Sequence, residues 1–464
     1  MRRAKIVCTI GPATASEEML LAIASAGMDV ARLNMSHNDH AWHGAAIDRI
    51  RRVSRATGRE IAILLDLAGP KIRVGELAAP MELKKGQLVR LVDGDRLGEG
   101  DLIPVRYAEL SGEMKPGDAL SMADGLIRLT VVRVEPGEVT AKVESGATLL
   151  SRKGVNLPTG GNALAAMTGK DEADLRFGLS KGVDWVSLSF VRLPTDAEGP
   201  RAVMESMGQN RPLMAKIERR QALENLPAII ESFDGLMVAR GDLGVEVSLE
   251  ELPALQKRII RAANRAAKPV VTATQMLLSM VENPRPTRAE ATDVANAILD
   301  GTDAVMLSEE TAMGSFPAEA VAFMAAIAGR TVPDEEEGTP ARELTSNDRA
   351  IARATMQVAE AVGASLIIAP TARGDTPRLL SSARPSQPIL AVGEDEEVLK
   401  RLAFLWGVTT RVIAKASSTD ELFKLCRDAA LKSGLGGAGG KAVVTAGVPL
   451  GSSGTTNMLK IVDL

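Results

Sequence analysis

Eight short apolar runs, each followed by a polar turn and then a stretch with helical spacing, recur along most of the chain. They read KIVCTI (5–10), DVARLN (29–34), EIAILLD (60–66), DWVSLSF (184–190), PLMAKIE (212–218), GLMVAR (235–240), PVVTAT (269–274) and DAVMLSE (303–309). Nearly unbroken apolar runs of this length suit parallel strands buried on both faces. Helical spacing follows at 250–266 and 288–299. The second stretch opens with Thr287 and Glu290 placed as a capping box, and Ala291, Val294, Ala295 and Ile298 share one face. Eight such units predict a (β/α)8 barrel made of residues 1–69 and 168–335.

Between the third and fourth units, residues 70–167 change character. VVRVEPGEVTAKVES alternates apolar and polar around Pro136-Gly137, which marks a hairpin. We read a small β-barrel domain inserted in a barrel loop, where it can act as a lid. Past residue 330 the acidic DEEEGTP (334–340) reads as a solvated linker. ASLIIAP (364–370), PILAVG (388–393), TRVIAK (410–415), KAVVTAG (441–447) and MLKIVDL (458–464) then alternate with helical segments. They predict an α/β domain with a five-stranded sheet over 341–464. The Gly-rich GLGGAGG (434–440) lacks the spacing of a phosphate-binding loop and reads as a flexible loop.

Length and composition narrow the function. A chain of 464 residues has room for about three domains of ~150 residues. Net charge −4 and 2% aromatic content exclude a basic nucleic-acid surface and base-stacking platforms. No apolar stretch is long enough to span a membrane. The run Ala4 to Ile10 is cut by Gly11-Pro12 before it could serve as a signal-peptide core. Cys8 and Cys426 form no disulfide framework. A cytoplasmic protein without nucleic-acid or membrane partners is expected.

In a barrel of this kind chemistry collects at the C-terminal strand ends. Here the second strand ends in Arg32 and Asn34, the third in Asp66, the fifth in Lys216 and Glu218. The sixth ends in Arg240 and Asp242, the seventh in Thr274 and the eighth in Ser308. Lys216 and Glu218, two apart on a strand, leave it on the same face. Glu218 and Asp242 are hard oxygen donors suited to Mg2+ with substrate phosphate and water as further ligands. Cations, carboxylates and hydroxyls on one rim suit an anionic, phosphorylated substrate. His37, His40 and His43 sit at helical spacing but have no fourth ligand or cysteine nearby, so they predict a helix start rather than a zinc site.

At these residues the chain resembles pyruvate kinase. The matching pieces, in order, are TIGPAT (9–14), RLNMSHN (32–38), LDLAGPKIRVG (65–75), RKGVNLP (152–158), AKIE (215–218) and ARGDLGVE (239–246). ATQML (273–277), NPRPTRAEATDVANAILDGTDAVML (283–307) and SGTTNMLKIV (453–462) complete the series. The resemblance implies phosphoryl transfer from phosphoenolpyruvate to ADP, giving pyruvate and ATP. It gives Mg2+ (or Mn2+) to Glu218 and Asp242, and charge neutralisation to Lys216. It gives the substrate carboxylate to the backbone of Arg240, Gly241 and Asp242, and phosphate clamping to Arg32 and Arg73. Enolate protonation falls to Thr274 through a water chain reaching Ser308 and Glu310. Asn34, Ser36, Asp66 and the Leu67 carbonyl match a monovalent-cation site. Asn34, Met35, Ser36, His37, Arg73 and Lys153 match the nucleotide side, and Asp124 a lid residue. A homotetramer is also implied.

Three positions depart from the family pattern. Potassium-dependent members carry Glu where this chain has Lys71. An ammonium beside Asp66 can replace the charge of K+, so K+ is not expected to be required. Glu309, in SEET (308–311), stands where many members have glycine. TARGDTPRLLSSARP (371–385) occupies the stretch that binds a phosphorylated effector in many members. Thr371, Arg373, Gly374 and Thr376 could form a phosphate nest for a sugar phosphate or a nucleoside monophosphate. Two rival readings remain at this level. One is a Mg2+-dependent lyase or aldolase of enolate chemistry, which has no use for Arg73 or an inserted lid. The other is a catalytically silent metabolite sensor, which would not retain Lys216, Glu218, Asp242 and Thr274.

Overall fold

Each of the eight apolar runs forms a parallel strand in the computed structural model, which describes residues 2–157, 160–161, 163–331, 347–448 and 456–464. The strands are Lys5–Thr9, Val30–Asn34, Ala62–Asp66, Trp185–Leu188, Leu213–Ile217, Gly235–Ala239, Val270–Ala273 and Ala304–Leu307. They pair in chain order, and the first closes onto the last through registers such as Cys8 with Leu307. The ladders stop short of several expected ends. Glu218, Thr274 and Ser308 therefore stand just beyond the strands, and Asp242 in the first turn of the helix Arg240–Glu246 that follows the sixth, where side chains can converge.

Period-two alternation explains what fills the barrel. Val7, Val30, Ala62, Leu64, Trp185, Met214, Met237 and Val271 belong to one buried apolar cluster. One step further along the same inward faces come Thr9, Arg32, Asp66, Ser187 and Lys216. The interior is thus apolar at the bottom and charged at the top.

The C-terminal domain closes the bottom. Phe404 joins the interior cluster and meets Trp185 edge-on at 5.1 Å, while the Trp185 indole N–H donates to the Arg401 carbonyl at 2.8 Å. Arg384 donates to Asp303, just ahead of the eighth strand, at 2.7 Å. The domain's sheet has five strands, ordered Val408–Val412, Ile389–Gly393, Leu366–Pro370, Lys441–Ala446 and Met458–Asp463, the last antiparallel. The acidic stretch 334–340 lies outside the described residues. GLGGAGG forms the loop between a helix and a strand and is tied at its end: the Gly439 N–H donates to the Leu464 carbonyl at 2.9 Å, and the Leu464 N–H donates to the Gly440 carbonyl at 2.8 Å.

The inserted residues form a six-stranded sheet and a two-stranded ribbon. The expected hairpin is there: Ile127–Glu135 pairs antiparallel with Glu138–Ser145, turning at Gly137 with φ 79°. Bridges Arg73–Gly154 and Val74–Val105 tie the segment at 73–74 to both edges, so the sheet curls into a small barrel. The helix Arg288–Leu299 carries the capping box read from Thr287 and Glu290. One expectation shifts: the helix after the second strand begins at His40, because Asp39 caps it by accepting from the Trp42 N–H at 2.8 Å. His37 therefore lies outside the helix, and its carbonyl meets the His43 ring nitrogen at 2.8 Å.

Candidate active site

At the upper end of the barrel Asp66 is 1% exposed and is the common partner of two cations. Arg32 reaches it with Nε at 2.8 Å and Nη2 at 2.6 Å, and Lys216 Nζ lies 3.4 Å away. The Ser187 hydroxyl donates to its other oxygen at 2.7 Å, and Arg32 also donates to Thr9 at 2.9 Å. Burial pushes the Asp66 carboxyl up, but the Lys216 and Arg32 charges outweigh it and hold the group below the usual carboxylate range. Lys216 further contacts Glu218 at 2.9 Å and the Ser189 hydroxyl at 2.8 Å. Burial pushes its ammonium down, and Asp66 and Glu218 more than reverse that, so Lys216 stays charged. The Glu218 carboxyl is raised, first by burial and then by the like charge of Asp242, against the pull of Lys216. The Phe190 N–H, presented by a residue at φ 57°, holds the second Glu218 oxygen at 2.7 Å.

Most of the expected residues meet. Arg32, Asn34, Ser36, His37, Lys71, Arg73, Asp124, Lys216, Glu218, Arg240, Gly241, Asp242, Thr274, Ser308, Glu309 and Glu310 line one cavity of about 1300 Å3 between barrel and inserted domain. Asp66 and Leu67 lie beneath that wall, and the Leu67 carbonyl accepts from the Ser189 hydroxyl at 2.7 Å. Met35 is buried, its carbonyl taken by Lys170 at 2.7 Å. Lys153 is exposed and stands off the wall.

Lys71 departs from expectation. Its ammonium lies 3.5 Å from Asp242, not beside Asp66, and its stem runs so close to Gly154 that a Cβ there would stand 2.8 Å from Cε. The reason is charge balance. Asp66 is already satisfied by Arg32, Lys216 and Ser187, whereas Asp242 is partly exposed to the cavity and has room for a cation.

Around Thr274 the polar groups are tightly committed. Thr274 has φ 72°, its hydroxyl donates to the Ala273 carbonyl at 2.6 Å and accepts from the Gly241 N–H at 2.8 Å. Of the expected backbone donors, Gly241 is therefore engaged within the protein. The Arg240 guanidinium donates to the Thr274 carbonyl at 2.8 Å and to Asp293 at 2.7 Å, which locks the tips of strands six and seven together. Glu310 accepts from the Leu277 N–H at 3.0 Å and the Ser308 N–H at 2.7 Å. The Ser308 hydroxyl is buried with no protein partner. In the C-terminal domain Thr371 accepts from the Gly374 N–H at 2.8 Å, Gly374 has φ 95°, and Thr376 pairs with Thr456 at 2.7 Å. Arg373 is exposed.

Sequence reasoning passed over Ser187, Ser189, Thr9, Arg219 and Glu246. A signal existed for two of them: Ser187 and Ser189 share a face with Trp185 in an otherwise apolar strand, and the structure turns both toward Lys216 and Asp66. No His, Cys, Asp or Glu group of three or more suited to a metal occurs among the described residues. Glu218 and Asp242 are thus two carboxylates on one cavity, each meeting a lysine and neither facing a soft ligand. That donor set fits a hard divalent cation completed by substrate oxygens and water. No helix among the described residues is long and apolar enough to cross a membrane.

Comparison with known proteins meets the same residues. Family models described as "Pyruvate kinase, barrel domain" and "Pyruvate kinase, alpha/beta domain" match residues 1–321 and 349–462. A pyruvate kinase of Geobacillus stearothermophilus is 45% identical over 470 residues, covering 99% of this chain and 80% of that protein. One of Clostridium acetobutylicum is 43% identical over 469 residues and covers 99% of both. A solved pyruvate kinase from Cryptosporidium parvum superposes with TM-score 0.92 at 36% identity, over 100% of this chain and 96% of that one. With both domains matched and the charged rim in place, the chain belongs to the pyruvate kinase family and is a phosphotransferase.

Proposed function

We propose that the chain transfers the phosphoryl group of phosphoenolpyruvate to ADP, with Mg2+ or Mn2+ held by Glu218 and Asp242. The observation that carries this reading is the linked set Arg32, Asp66, Lys216 and Glu218, which opens on the same cavity as Asp242 and Thr274. A bound divalent ion would supply positive charge to the substrate's phosphate and carboxylate oxygens. Arg32, fixed by Asp66 and Thr9, orients the phosphoryl group. As the bond from phosphorus to the enol oxygen breaks and a bond to a β-phosphate oxygen of ADP forms, Lys216 neutralises charge on the phosphoryl and on the enolate left behind. The enolate carbon then takes a proton from water held at Thr274 and Ser308. Thr274 has committed its own proton to Ala273, and Glu310 has both oxygens on backbone N–H groups, so these two orient the delivery. Asn34, Ser36, His37 and Arg73, which line the cavity, form the nucleotide side, whereas Met35 is buried behind it and Lys153 stands off its wall. An assay with Mg2+, ADP and phosphoenolpyruvate tests the reading; failure to form pyruvate and ATP would overturn it.

The same reading extends to the monovalent cation: K+ is not required. Support comes from Asp66, whose charge Arg32 and Lys216 already balance, and from the Lys71 ammonium inside the cavity. With tetramethylammonium as the only monovalent cation, turnover should stay near its value in K+. Lys71→Glu should create a K+ response. Loss of most activity without K+, or a Lys71→Glu variant indifferent to K+, sinks the idea. We further place the enzyme in the cytoplasm as a homotetramer. Its effector nest at Thr371, Arg373, Gly374 and Thr376 would take a sugar phosphate or nucleoside monophosphate, and flat activation curves with both would remove that assignment.

A further inference from the structure

The helix Arg240–Glu246 has seven residues, too few to persist through its own hydrogen bonds. Its position is set by what grips its ends. Asp242 sits in the first turn, and Glu246, 5% exposed, sits in the last. One Glu246 oxygen accepts from two sources: the Arg219 guanidinium at 2.8 Å and the Asn156 side-chain amide at 3.4 Å. Arg219 directly follows Glu218. Asn156 belongs to the short strand Val155–Asn156 of the inserted domain, where the chain heads back to the barrel. On that return segment Gly161 approaches Arg219 so closely that a Cβ would stand 2.5 Å from Nη2. Gly125, in an inserted-domain turn lining the cavity, also approaches the helix, 3.6 Å from the Val245 methyls at its Cβ position.

We propose that Arg219 and Glu246 are positioning residues that set the spacing between the metal carboxylates Glu218 and Asp242, and that Asn156 makes this spacing depend on the placement of the inserted domain. The inference rests on the reading that Glu218 and Asp242 hold the divalent ion. Neither Arg219 nor Glu246 is among the residues lining the cavity, and both are buried. Their ion pair joins the residue after one carboxylate to the helix that carries the other. Mg2+ tolerates little variation in ligand geometry, so a small shift of that helix is felt as lost affinity. Withdrawal of the inserted domain takes Asn156 from Glu246 and loosens the helix. Its approach tightens both ends of the site together.

The test is Mn2+ binding to the substrate-free, full-length protein, followed by electron paramagnetic resonance, with proteolysis of the inserted domain as a second readout. Glu246→Gln, which keeps shape but removes the charge, should weaken Mn2+ binding roughly 10-fold while the fold persists. Asn156→Ala leaves the Arg219–Glu246 pair intact; it should weaken Mn2+ binding and speed cleavage of the inserted domain. Arg219→Lys should recover part of the affinity that Arg219→Met loses. Unchanged Mn2+ affinity in Asn156→Ala overturns the proposal, and that variant decides the matter even if Glu246→Gln does not fold. Glu218→Gln separates the two levels. If Mn2+ binding survives that change, the metal assignment is wrong. If it is lost there but unchanged in Glu246→Gln and Asn156→Ala, only the coupling is refuted.

Discussion

Lys216→Met should lower phosphoryl transfer by about 10³-fold or more, the scale seen when a preorganised donor to developing charge is removed. The side chain stands 2.9 Å from Glu218 and 3.4 Å from Asp66, and is itself 11% exposed. Arg32 shares Asp66 with it, but both its Nε and Nη2 are turned to that carboxylate. The variant should still bind Mn2+, since Asp242 is untouched and Phe190 keeps Glu218 in place at 2.7 Å. Its stability should change in a particular direction with pH. Glu218 is already raised by burial and by Asp242, and without Lys216 it rises further. A carboxyl raised in the folded state loses stability as pH climbs from its usual value through the raised one, so Lys216→Met should be relatively more stable in weak acid than at neutrality. Near-parental turnover would overturn the role given to Lys216. A variant that no longer binds Mn2+ would show that the lysine's main duty is to hold Glu218 in place.

How much of this was legible in the sequence depends on which kind of information each feature carries. The strands could be read because both faces of each are buried, so the apolar signal is dense and needs no partner. The hairpin at Pro136-Gly137 and the cap at Thr287 are set by neighbours in the chain. The place of Lys71, 3.5 Å from Asp242, cannot be read locally because its destination depends on charge balance among distant residues. Whether Asp66 is free to take another cation is decided by Arg32 and Lys216, contributed by the second and fifth strands. Arg240 shows the same limit. Its place at a strand end was readable, but its engagement with Asp293 and the Thr274 carbonyl requires a helix more than fifty residues onward. The backbone conformations of Phe190 and Thr274, φ 57° and 72°, leave no trace because neither residue is a glycine. Such strain is held by surrounding contacts and tends to gather where side chains must be aimed. The Asn156–Glu246–Arg219 contact was hidden for a further reason: each residue looks like an ordinary polar group at the end of a strand or helix, and only the fold brings the three together.

Asp66→Asn should destabilise the barrel by about 3–5 kcal/mol, as expected when one partner of a buried charge network is removed and the others stay buried. The carboxylate takes three donors from two guanidinium nitrogens and one hydroxyl, at 2.8, 2.6 and 2.7 Å, with the Lys216 ammonium beside it. An amide of the same shape offers one acceptor oxygen and sets an NH2 group against a cation or the Ser187 hydroxyl. Lys216 then keeps Glu218 at 2.9 Å, whereas Arg32 is left without the one ion pair described for it, and on the proposed mechanism it loses the partner that aims it at the phosphoryl group. The KM for the phosphorylated substrate should rise along with the loss of stability. The pH dependence separates charge from shape. Because the folded Asp66 carboxyl is held below its usual value, its contribution is fully present above about pH 3.9 and is lost as pH falls through the lowered folded value. Parent and variant should therefore differ by a constant amount from neutrality down to weak acid and converge in stronger acid. Urea unfolding followed by tryptophan fluorescence, to which the barrel's Trp42 and Trp185 contribute, measures this across a pH series. A variant as stable as the parent at pH 7 would mean that Arg32 and Lys216 find their counter-charge elsewhere, and the account of the barrel mouth as one balanced cluster would have to be abandoned.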